Sequence, residues 1–451
     1  MEESKGAGSA IQENRIIPLW SLTVWLVVMN TTMFNVALPS VIKEFELTPA
    51  TGSWIVSGYS IVFALSTITF SRLSDFIPIG RLLLTGVAIL GLSSAVGFFS
   101  DSFAFLLASR VLQAMGAGAV PGLAMVLATR YIPVKRRGKA MSLISSAASL
   151  GFGLGPVIGG AVTQYLGWND LFLVTALVLL LIPLFKKYLP VEQPKKGEFD
   201  LIGALLTGVG VSALLLFLST FNVMLFLVSA AALVTLVVFS KRKHDPFIQI
   251  SLFANRRYRS ILLVGLMAFM THFAFLFVMP VMLAKLFGQA PASIGFIIFP
   301  GAMLSALAAT YIGRFIDRFG NLPIMRFGLA SLFLSAVLFT LFGTKAPVMT
   351  AIFYMFTSVG FSSLTSSLAN EASRILHKDV VGTGMGLMQL VQFFGGAFGV
   401  AAAGLLVDWQ KALELTDVFR NIFLFFTLLL VLAYAVYYFG IYKNREMAEN
   451  E

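Results

Sequence analysis

The chain has 451 residues, of which 58% are apolar and only 12% are charged, whereas about 25% of residues are charged in soluble domains. This composition excludes a soluble protein and predicts a polytopic membrane protein. The chain contains no cysteine, so disulfides, thiolate metal sites and thiol catalysis are also excluded. The net charge of +11 is dispersed over short loops between apolar segments, which argues against nucleic-acid binding.

Apolar segments long enough to span a bilayer recur along the chain. A transmembrane helix needs about 20 apolar residues, and on that rule the sequence predicts fourteen spans. No signal peptide is expected, because residues 1–15 are polar and the first apolar segment is too long. The predicted spans are residues 17–39, 53–71, 82–99, 103–129, 140–164, 170–185, 201–220, 222–240, 260–283, 293–313, 324–343, 347–369, 381–407 and 418–442.

Lys and Arg are distributed unevenly between the predicted loops. If the N-terminus is cytoplasmic, most of them fall in cytoplasmic segments. Only Lys43, Lys285, Lys345, Lys411 and Arg420 fall in external segments. Cytoplasmic loops of membrane proteins carry such an excess of basic residues. The pattern therefore predicts that both termini are cytoplasmic, and it explains the basic charge without a nucleic-acid partner.

Two motifs recur at nearly the same spacing. The glycine-rich segment 150–160 returns 244 residues later, and the segment 71–75 (SRLSD) returns 242 residues later as GRFID. Secondary transporters are commonly built from such repeats. The middle of the chain has no repeat partner. We therefore predict a six-helix domain at 1–186, linkers with an inserted two-helix hairpin at 187–258, and a second six-helix domain at 259–451.

The glycine-rich segment itself suggests a conformational role. Gly151, Gly155 and Gly159 lie on one helical face, which lets another helix approach closely. Pro156 removes a backbone donor in the middle of the span, so the helix should bend there. We interpret these four residues as part of a gating surface; tight packing alone is the alternative.

Four motifs resemble those of the fourteen-helix drug:proton antiporters of the major facilitator superfamily. They are residues 30–39 (NTTMFNVALP), the loop 71–81, residues 110–116 (RVLQAMG) and residues 151–160. The resemblance covers nearly the whole chain. It implies an all-α membrane protein with the major facilitator fold and fourteen transmembrane helices arranged as 6 + 2 + 6.

The resemblance also implies a function and a location. Such proteins export small amphiphilic compounds or antibiotics in exchange for protons, by alternating access, as monomers in the bacterial cytoplasmic membrane, without a cofactor or metal. Segments 128–140 and 297–303 look most like Gram-positive tetracycline efflux proteins of classes K and L.

The chain departs from its relatives at several acidic positions. Asn30 stands where the first-helix motif usually has Asp, and Thr31, Phe152 and Gly396 stand where the tetracycline exporters have Glu. Tetracycline–metal chelates are cationic, so the missing carboxylates argue against that substrate. Their absence also leaves undecided which residue carries the proton.

Three residues are candidates for proton coupling, since charges within a bilayer are costly and usually functional. Arg110 lies within helix four, where the resemblance implies a coupling role; a structural Arg is the alternative. His272 is the only His within a predicted span and occupies the repeat position of Thr31, although a neutral core His is the commoner case. Glu371 closes helix twelve and is either a solvated carboxylate or a proton site.

Polar and aromatic residues within the spans are candidates for substrate binding. Amides inside a helical bundle either join helices or hydrogen-bond a substrate. The candidates are Asn30, Thr31 and Phe34 in helix one, Gln113 in helix four, and Gln389 and Gln392 in helix thirteen.

The repeated loop motif predicts two gates. Asp75 and Asp317 each follow a span, and such an Asp can pair with Arg and cap the next helix, whose dipole favours an anion. We expect Arg81 and Arg318 to be the partners, and a gating role for all four residues.

Other functions are less well supported by the sequence. It contains no GxxxxGK[ST] loop, no metal-spaced cluster and no Ser with a neighbouring His, so neither an enzyme nor an ATP-driven pump is expected. The alternatives are an exporter of a lipid, peptide or endogenous metabolite with weak or no proton coupling, and, more distantly, a non-transporting membrane sensor or scaffold.

Overall fold

The computed structural model describes residues 12–132, 134–189, 192–193, 199–243, 246–377 and 380–443, and within these ranges it contains helices and loops but no strand. A bilayer leaves backbone groups no water to bind, so helices that satisfy them internally are the expected solution. The helices that match the predicted spans are α1 (Glu13–Glu44), α2 (Pro49–Leu73), α3 (Ile79–Gly97), α4 (Phe103–Ala117 and Ala119–Tyr131), α5 (Val134–Tyr165), α6 (Asp170–Ala176, the 3₁₀ segment Leu177–Leu181 and Ile182–Tyr188), α7 (Leu201–Thr220), α8 (Val223–Arg242), α9 (Arg256–Phe287), α10 (Pro291–Phe319), α11 (Asn321–Phe342), α12 (Pro347–Ile375), α13 (Val381–Trp409) and α14 (Leu415–Tyr437, followed by the π-helical turn Tyr438–Tyr442).

Nearly every predicted span is also long and apolar enough to cross a membrane. Thirteen helical spans among the described residues meet that standard. The remaining predicted span is α5, whose first turn is basic and whose length is rich in Gly and Ser. The predicted all-α membrane fold is therefore confirmed.

The glycine face of α5 packs against α1. A Cβ atom on Gly151 would lie 2.8 Å from the carbonyl oxygen of Trp25, and one on Gly159 would lie 2.6 Å from that of Met33. The corresponding helices of the C-terminal repeat, α13 and α9, make the same kind of contact. A Cβ on Gly395 of α13 would lie 2.5 Å from the carbonyl oxygen of Leu266 in α9. Small residues thus bring the first and fifth helices of each repeat into backbone contact.

The same two glycine-rich helices also join the repeats. In the N-terminal repeat α4 packs against α2 and α3, and in the C-terminal repeat α12 packs against α10 and α11. Across the boundary, α5 packs against α10 and α13 packs against α2. The hairpin of α7 and α8 packs on itself, and α7 also contacts α2 and α13.

The boundary is tight at one face of the bundle. We define the basic face as the face where α1 begins and α14 ends, and the opposite face as the other. At the opposite face, a Cβ on Gly160 would lie 3.1 Å from the Cα of Ala292, and one on Gly404 would lie 3.1 Å from the Cα of Ala50. These two contacts are counterparts under the sequence repeat.

A hydrogen bond reinforces each of these contacts. Ala292 N donates to Gln164 Oε1 over 3.1 Å, and Ala50 N donates to Asp408 Oδ2 over 3.2 Å. Each acceptor sits near the end of a glycine-rich helix and caps the first turn of the helix across the boundary, where N–H groups lack helical partners. We call these two interactions the cross-boundary caps.

Toward the basic face the boundary loosens. A Cβ on Gly153 would lie 3.6 Å from the carbonyl carbon of Ala302, and one on Gly386 would lie 3.8 Å from Ile68 Cγ1. Those are ordinary van der Waals distances rather than backbone contacts. The two repeats therefore meet at the opposite face and diverge toward the basic face.

Asp200 ties together the two ends of the inserted hairpin. Its carboxylate accepts hydrogen bonds from Gly203 N, Phe247 N and Lys243 Nζ at 3.0, 2.7 and 3.1 Å. Burial alone would raise the pKa of the Asp200 carboxyl, but these donors lower it below its usual value. The interaction fixes the start of α7 against the segment that follows α8.

Substitution of Gly159 tests the contact between α5 and α1. Gly159→Ala should destabilise the protein by about 1–3 kcal/mol, because the added methyl group meets the backbone of Met33. Gly153→Ala on the same helix has room for the methyl group and should be neutral or stabilising. Thermal unfolding of the purified variants in detergent measures both, and equal midpoints would contradict the packing described.

Removal of the cross-boundary caps tests the closure of the opposite face. In a Gln164→Ala/Asp408→Ala background, a cysteine introduced at the buried Ser53 should react with a maleimide roughly tenfold faster, since each lost hydrogen bond is worth about 1 kcal/mol. The cysteine-free chain makes this labelling specific. A cysteine at the exposed Ser102 is the control and should react equally in both backgrounds. An unchanged rate at Ser53 would show that the caps do not hold this face closed.

Candidate functional site

A cavity of about 490 Å³ lies between α5, α9, α10 and α12. It extends from His272, in the middle of α9, to Asp317 near the end of α10 at the basic face. The described residues that line it are Ala148, Phe152, His272, Ala302, Ser305, Ala309, Gly313, Ile316, Asp317, Tyr354, Ser358, Phe361, Ser362, Thr365, Ser366 and Asn370. The cavity thus lies at the boundary between the repeats, on the side where they diverge.

His272 forms part of an aromatic wall of this cavity. Its imidazole stacks on the ring of Phe361, with centroids 3.8 Å apart and planes within 4°. The ring of Tyr354 lies 6.2 Å away and within 22° of parallel. The His272 side chain is 4% exposed, and its buried Nδ1 atom has no hydrogen-bond partner among the described residues.

Hydroxyl groups form a second wall. Ser358 Oγ donates to the carbonyl oxygen of Gly301 over 2.6 Å, Thr365 Oγ1 donates to that of Phe361 over 2.9 Å, and the hydroxyls of Ser305 and Ser362 bond to each other over 2.5 Å. A hydroxyl that donates to a backbone carbonyl keeps its lone pairs free to accept. This wall therefore offers hydrogen-bond acceptors to the cavity.

Arg110 lies in a separate, sealed cluster in the N-terminal repeat. Its guanidinium donates to Asn30 Oδ1 over 3.2 Å and to Gln113 Oε1 over 2.8 Å. The rings of Phe34 and Tyr59 enclose it, with their centroids 4.0 and 4.1 Å from Cζ. Such cation–π contacts stabilise a desolvated guanidinium.

No carboxylate among the described residues forms an ion pair with Arg110, whose Nε atom is also without a hydrogen-bond partner. A guanidinium keeps its charge in proteins. The cluster consequently holds a net positive charge inside the bundle, compensated only by amide dipoles and aromatic faces.

The structure places several predicted substrate-binding residues in that cluster. Asn30, Phe34 and Gln113 surround Arg110 and are absent from the described lining of the cavity. Asn30 is fixed further by Thr175, which donates to its Oδ1 over 3.0 Å, and Thr31 donates to the carbonyl oxygen of Val27 over 3.3 Å. Asn30, Phe34 and Gln113 thus contact the guanidinium in this conformation, and a substrate role for these residues and for Thr31 stays a prediction.

The two glutamines of α13 occupy different environments. Gln392 is buried, and its amide lies against α9, where a Cβ on Gly265 would be 3.0 Å from Nε2. Within the part of the chain that the structure describes, that Nε2 atom has no hydrogen-bond partner. Gln389 is half-buried on the same helix. A substrate role for either glutamine stays a prediction.

Glu371 is held by basic residues at the basic face. It forms ion pairs with Arg257 and, over 3.7 Å, with Arg374, and it accepts a hydrogen bond from Asn321 over 2.6 Å. These partners come from α9, α11 and α12. Glu371 is only 2% exposed and serves as the centre of this ionic cluster.

Asp75 pairs with a partner that the sequence analysis did not predict. Its carboxylate lies 3.0 Å from Arg130 at the end of α4, while the expected partner, Arg81, is exposed. Arg130 also lies 3.8 Å from Glu192, which accepts a hydrogen bond from the neighbouring Tyr131. Burial, followed by the contact with Glu192, raises the pKa of Tyr131.

The counterpart of Asp75, which is Asp317, lies in a different environment. Asp317 is exposed at the mouth of the cavity, and no described residue forms an ion pair with it. The guanidinium of its expected partner, Arg318, lies 5.2 Å from the ring centroid of Phe319. The two repeated motifs therefore differ in this conformation, and their gating role stays a prediction.

Sequence reasoning missed most of the cavity wall. It singled out His272 but not Tyr354 or Phe361, which are seven residues apart on α12 and so share one helical face. That spacing, together with Ser358, Ser362 and Thr365 between and beside them, was the available signal. It is a weak signal because Phe and Ser are common in transmembrane helices.

An acidic residue at position 30 tests the electrostatic state of Arg110. Asn30→Asp should stabilise the protein by about 1–3 kcal/mol, because it places a carboxylate where the amide already accepts from the guanidinium. Asn35→Asp is the matched control on the same helix: Asn35 is buried with its Oδ1 unpartnered, so a charge there should destabilise. Thermal unfolding in detergent should separate the two variants, and equal destabilisation would contradict the electrostatic interpretation.

Comparison with known proteins yields one family and several relatives. The family model described as Major Facilitator Superfamily matches residues 20–399 and 261–450. The multidrug efflux pump LfrA of Mycolicibacterium smegmatis is 26% identical over 85% of this chain and 79% of its own. The multidrug resistance protein Stp of Mycobacterium tuberculosis is 24% identical over 87% and 75%, and the riboflavin transporter RibZ of Clostridioides difficile is 24% identical over 72% and 73%.

Solved structures agree on the fold. A POT family transporter in complex with 5-aminolevulinic acid superposes with a TM-score of 0.70 at 16% identity, covering 93% of this chain and 96% of its own. A bacterial homologue of the human lysosomal transporter Spinster, in an inward-facing and occupied conformation, gives a TM-score of 0.67 at 14% identity, covering 97% of both chains. The particular resemblance to tetracycline efflux proteins stays a prediction.

Proposed function

Since the chain belongs to the Major Facilitator Superfamily, and is thus a multi-pass membrane transporter rather than an enzyme, we propose that it is a secondary active exporter of small amphiphilic compounds, driven by protons. Transporters of this kind alternate between states open to either side of the membrane. The multidrug efflux relatives support export of amphiphilic compounds or antibiotics.

The observation that carries this proposal is the one-sided cavity. It opens at the basic face, while the cross-boundary caps and the contacts of Gly160 and Gly404 close the opposite face. A cavity that is bounded by both repeats and open on one side is what alternating access requires.

The proposed orientation follows from the charge distribution. Basic residues are concentrated in cytoplasmic loops, so the basic face is the cytoplasmic face and both termini are cytoplasmic. The observed state is then inward-open and ready to receive a substrate from the cytoplasm. We place the protein in a bacterial cytoplasmic membrane as a monomer, and we propose that 1–186 and 259–451 rock as domains while 187–258 forms the insert.

Proton coupling is proposed to run through His272. Glu371 is occupied by Arg257, Arg374 and Asn321, and Arg110 has no proton to exchange at neutral pH. His272 alone among the three candidates lines the cavity, where protons and substrate can both reach it. An imidazole is also the side chain suited to proton exchange near neutral pH.

Reconstituted protein tests the coupling. In proteoliposomes with an imposed pH gradient, at least one of tetracycline, riboflavin and ethidium should be moved, and a protonophore should abolish the movement. His272→Ala should lose gradient-driven accumulation but keep substrate exchange at saturating concentration, because exchange needs no net proton transfer. His377→Ala is the control, since that His is exposed on a loop. Transport that ignores the gradient in the unmodified protein would refute proton coupling.

One alternative has support of its own. The riboflavin transporter among the relatives, together with the missing carboxylates, favours an exporter of an endogenous metabolite with weak or no proton coupling. Gradient-independent movement of riboflavin in the same proteoliposomes would favour this alternative.

A further inference from the structure

We propose that the cavity beside His272 binds flat, uncharged heteroaromatic molecules that carry hydrogen-bond donors, and that it disfavours flat cations of the same size. This inference names the substrate class of the exporter proposed above and rests on that function. Binding, however, can be measured without transport, so the two proposals can fail separately.

The shape of the ligand follows from the aromatic wall. The rings of His272 and Phe361 are parallel within 4°, and that of Tyr354 lies within 22° of His272. Phe152 of α5 also lines the cavity, across the boundary. Aromatic rings favour stacked or edge contacts with other rings, and nearly parallel planes fit a flat molecule better than a bulky one.

The polarity of the ligand follows from the hydroxyl wall. Ser358 and Thr365 donate to backbone carbonyls, so they turn acceptors toward the cavity. The Nδ1 atom of His272 is buried and without a partner in a cavity that the residue itself lines. Buried polar atoms are nearly always hydrogen-bonded. A ligand with N–H or O–H donors would satisfy both the acceptors and this nitrogen.

The charge of the ligand follows from what the lining offers. Among the described residues of the lining, Asp317 is the one carboxylate, and it lies exposed at the mouth rather than beside His272. Arg110, buried in the separate cluster of the N-terminal repeat, is positive and has no ion-pair partner among the described residues. A cation deep in the cavity would thus lose its hydration without gaining a counter-ion.

Aromatic faces can themselves attract a cation, which would favour flat cations over uncharged ligands. In this cavity one face of Phe361 is already covered by His272 at 3.8 Å. The remaining polar groups include the acceptor hydroxyls, which can accept hydrogen bonds from an uncharged ligand. The balance of contacts therefore favours the uncharged ligand.

Two fluorescent tricyclic compounds test the inference directly. Lumichrome is flat, uncharged and carries imide-type N–H donors, whereas 9-aminoacridine is of similar size and cationic at neutral pH. With the full-length protein in lipid nanodiscs, fluorescence anisotropy should show lumichrome binding at least about tenfold more tightly, a difference within the range of one desolvated charge. Tighter or equal binding of 9-aminoacridine would overturn the inference, and so would binding of neither compound.

Variants locate the binding to this cavity. Phe361→Leu should weaken lumichrome binding by about tenfold through the lost stacking, and Ser358→Ala by about fivefold through the lost acceptor. Phe356→Leu, an exposed Phe on the same helix, should leave the affinity unchanged. Equal effects of the two Phe variants would overturn the placement, provided that thermal unfolding shows both to be folded.

Transport then separates this inference from the proposed function. Selective lumichrome binding by a protein that ignores a pH gradient would refute proton coupling and support the substrate class. Gradient-driven movement of 9-aminoacridine beyond that in protein-free liposomes, without lumichrome binding, would refute the substrate class and leave the exporter intact.

Discussion

The close approach of backbone to backbone along α5 and α13 is the contact on which the architecture depends. On one side, Gly151 and Gly159 bring α5 against α1, and Gly395 brings α13 against α9. On the other side, the same two helices form the boundary with α10 and α2. Each glycine-rich helix is thus fixed to its own repeat by contacts that leave no room for a methyl group. It is free to part from the other repeat only where its contacts are looser.

The two repeats have diverged in how they handle polarity inside the membrane. The N-terminal repeat buries a permanent charge, Arg110, and encloses it in aromatic rings and amides. The C-terminal repeat places an imidazole, that of His272, at the repeat position of Thr31 and in the wall of the cavity. An enclosed cation in one repeat and a cavity-lining imidazole in the other make the two halves of a pseudo-symmetric fold chemically different.

Much of the fold could be predicted from the sequence, because bilayer thickness and hydropathy dictate where helices begin and end. The glycine face and the repeat could also be predicted, since one rests on spacing within a helix and the other on a constant offset between two segments. The partners of side chains were not. Asp75 meets Arg130 rather than Arg81 because helix packing, not proximity in sequence, brings the end of α4 to the loop after α2.

The candidate site was predictable only in part for the same reason. His272 could be singled out as the sole His within a span, and it does line the cavity. Asn30, Phe34 and Gln113 are predicted substrate-binding residues. They contact a neighbouring guanidinium that the sequence did not assign to them, and their substrate role stays a prediction. The hydroxyls of α12 escaped notice because two of them bond to Gly301 and Ser305 of α10, which are distant in the sequence.

Through the inserted hairpin, the surrounding lipid would affect the proposed conformational change. α7 contacts α2 of one repeat and α13 of the other. Only 28% of the apolar segment of α7 and 22% of the apolar segment of α8 are buried within the protein. The hairpin therefore presents most of its surface to acyl chains while contacting both repeats. In the proposed alternating-access cycle, a change of angle between the repeats would tilt or slide the hairpin against the bilayer, at a cost of fractions of a kcal/mol for each ångström of thickness mismatch. Under that proposal, membrane thickness enters the balance between the inward-open and outward-open states.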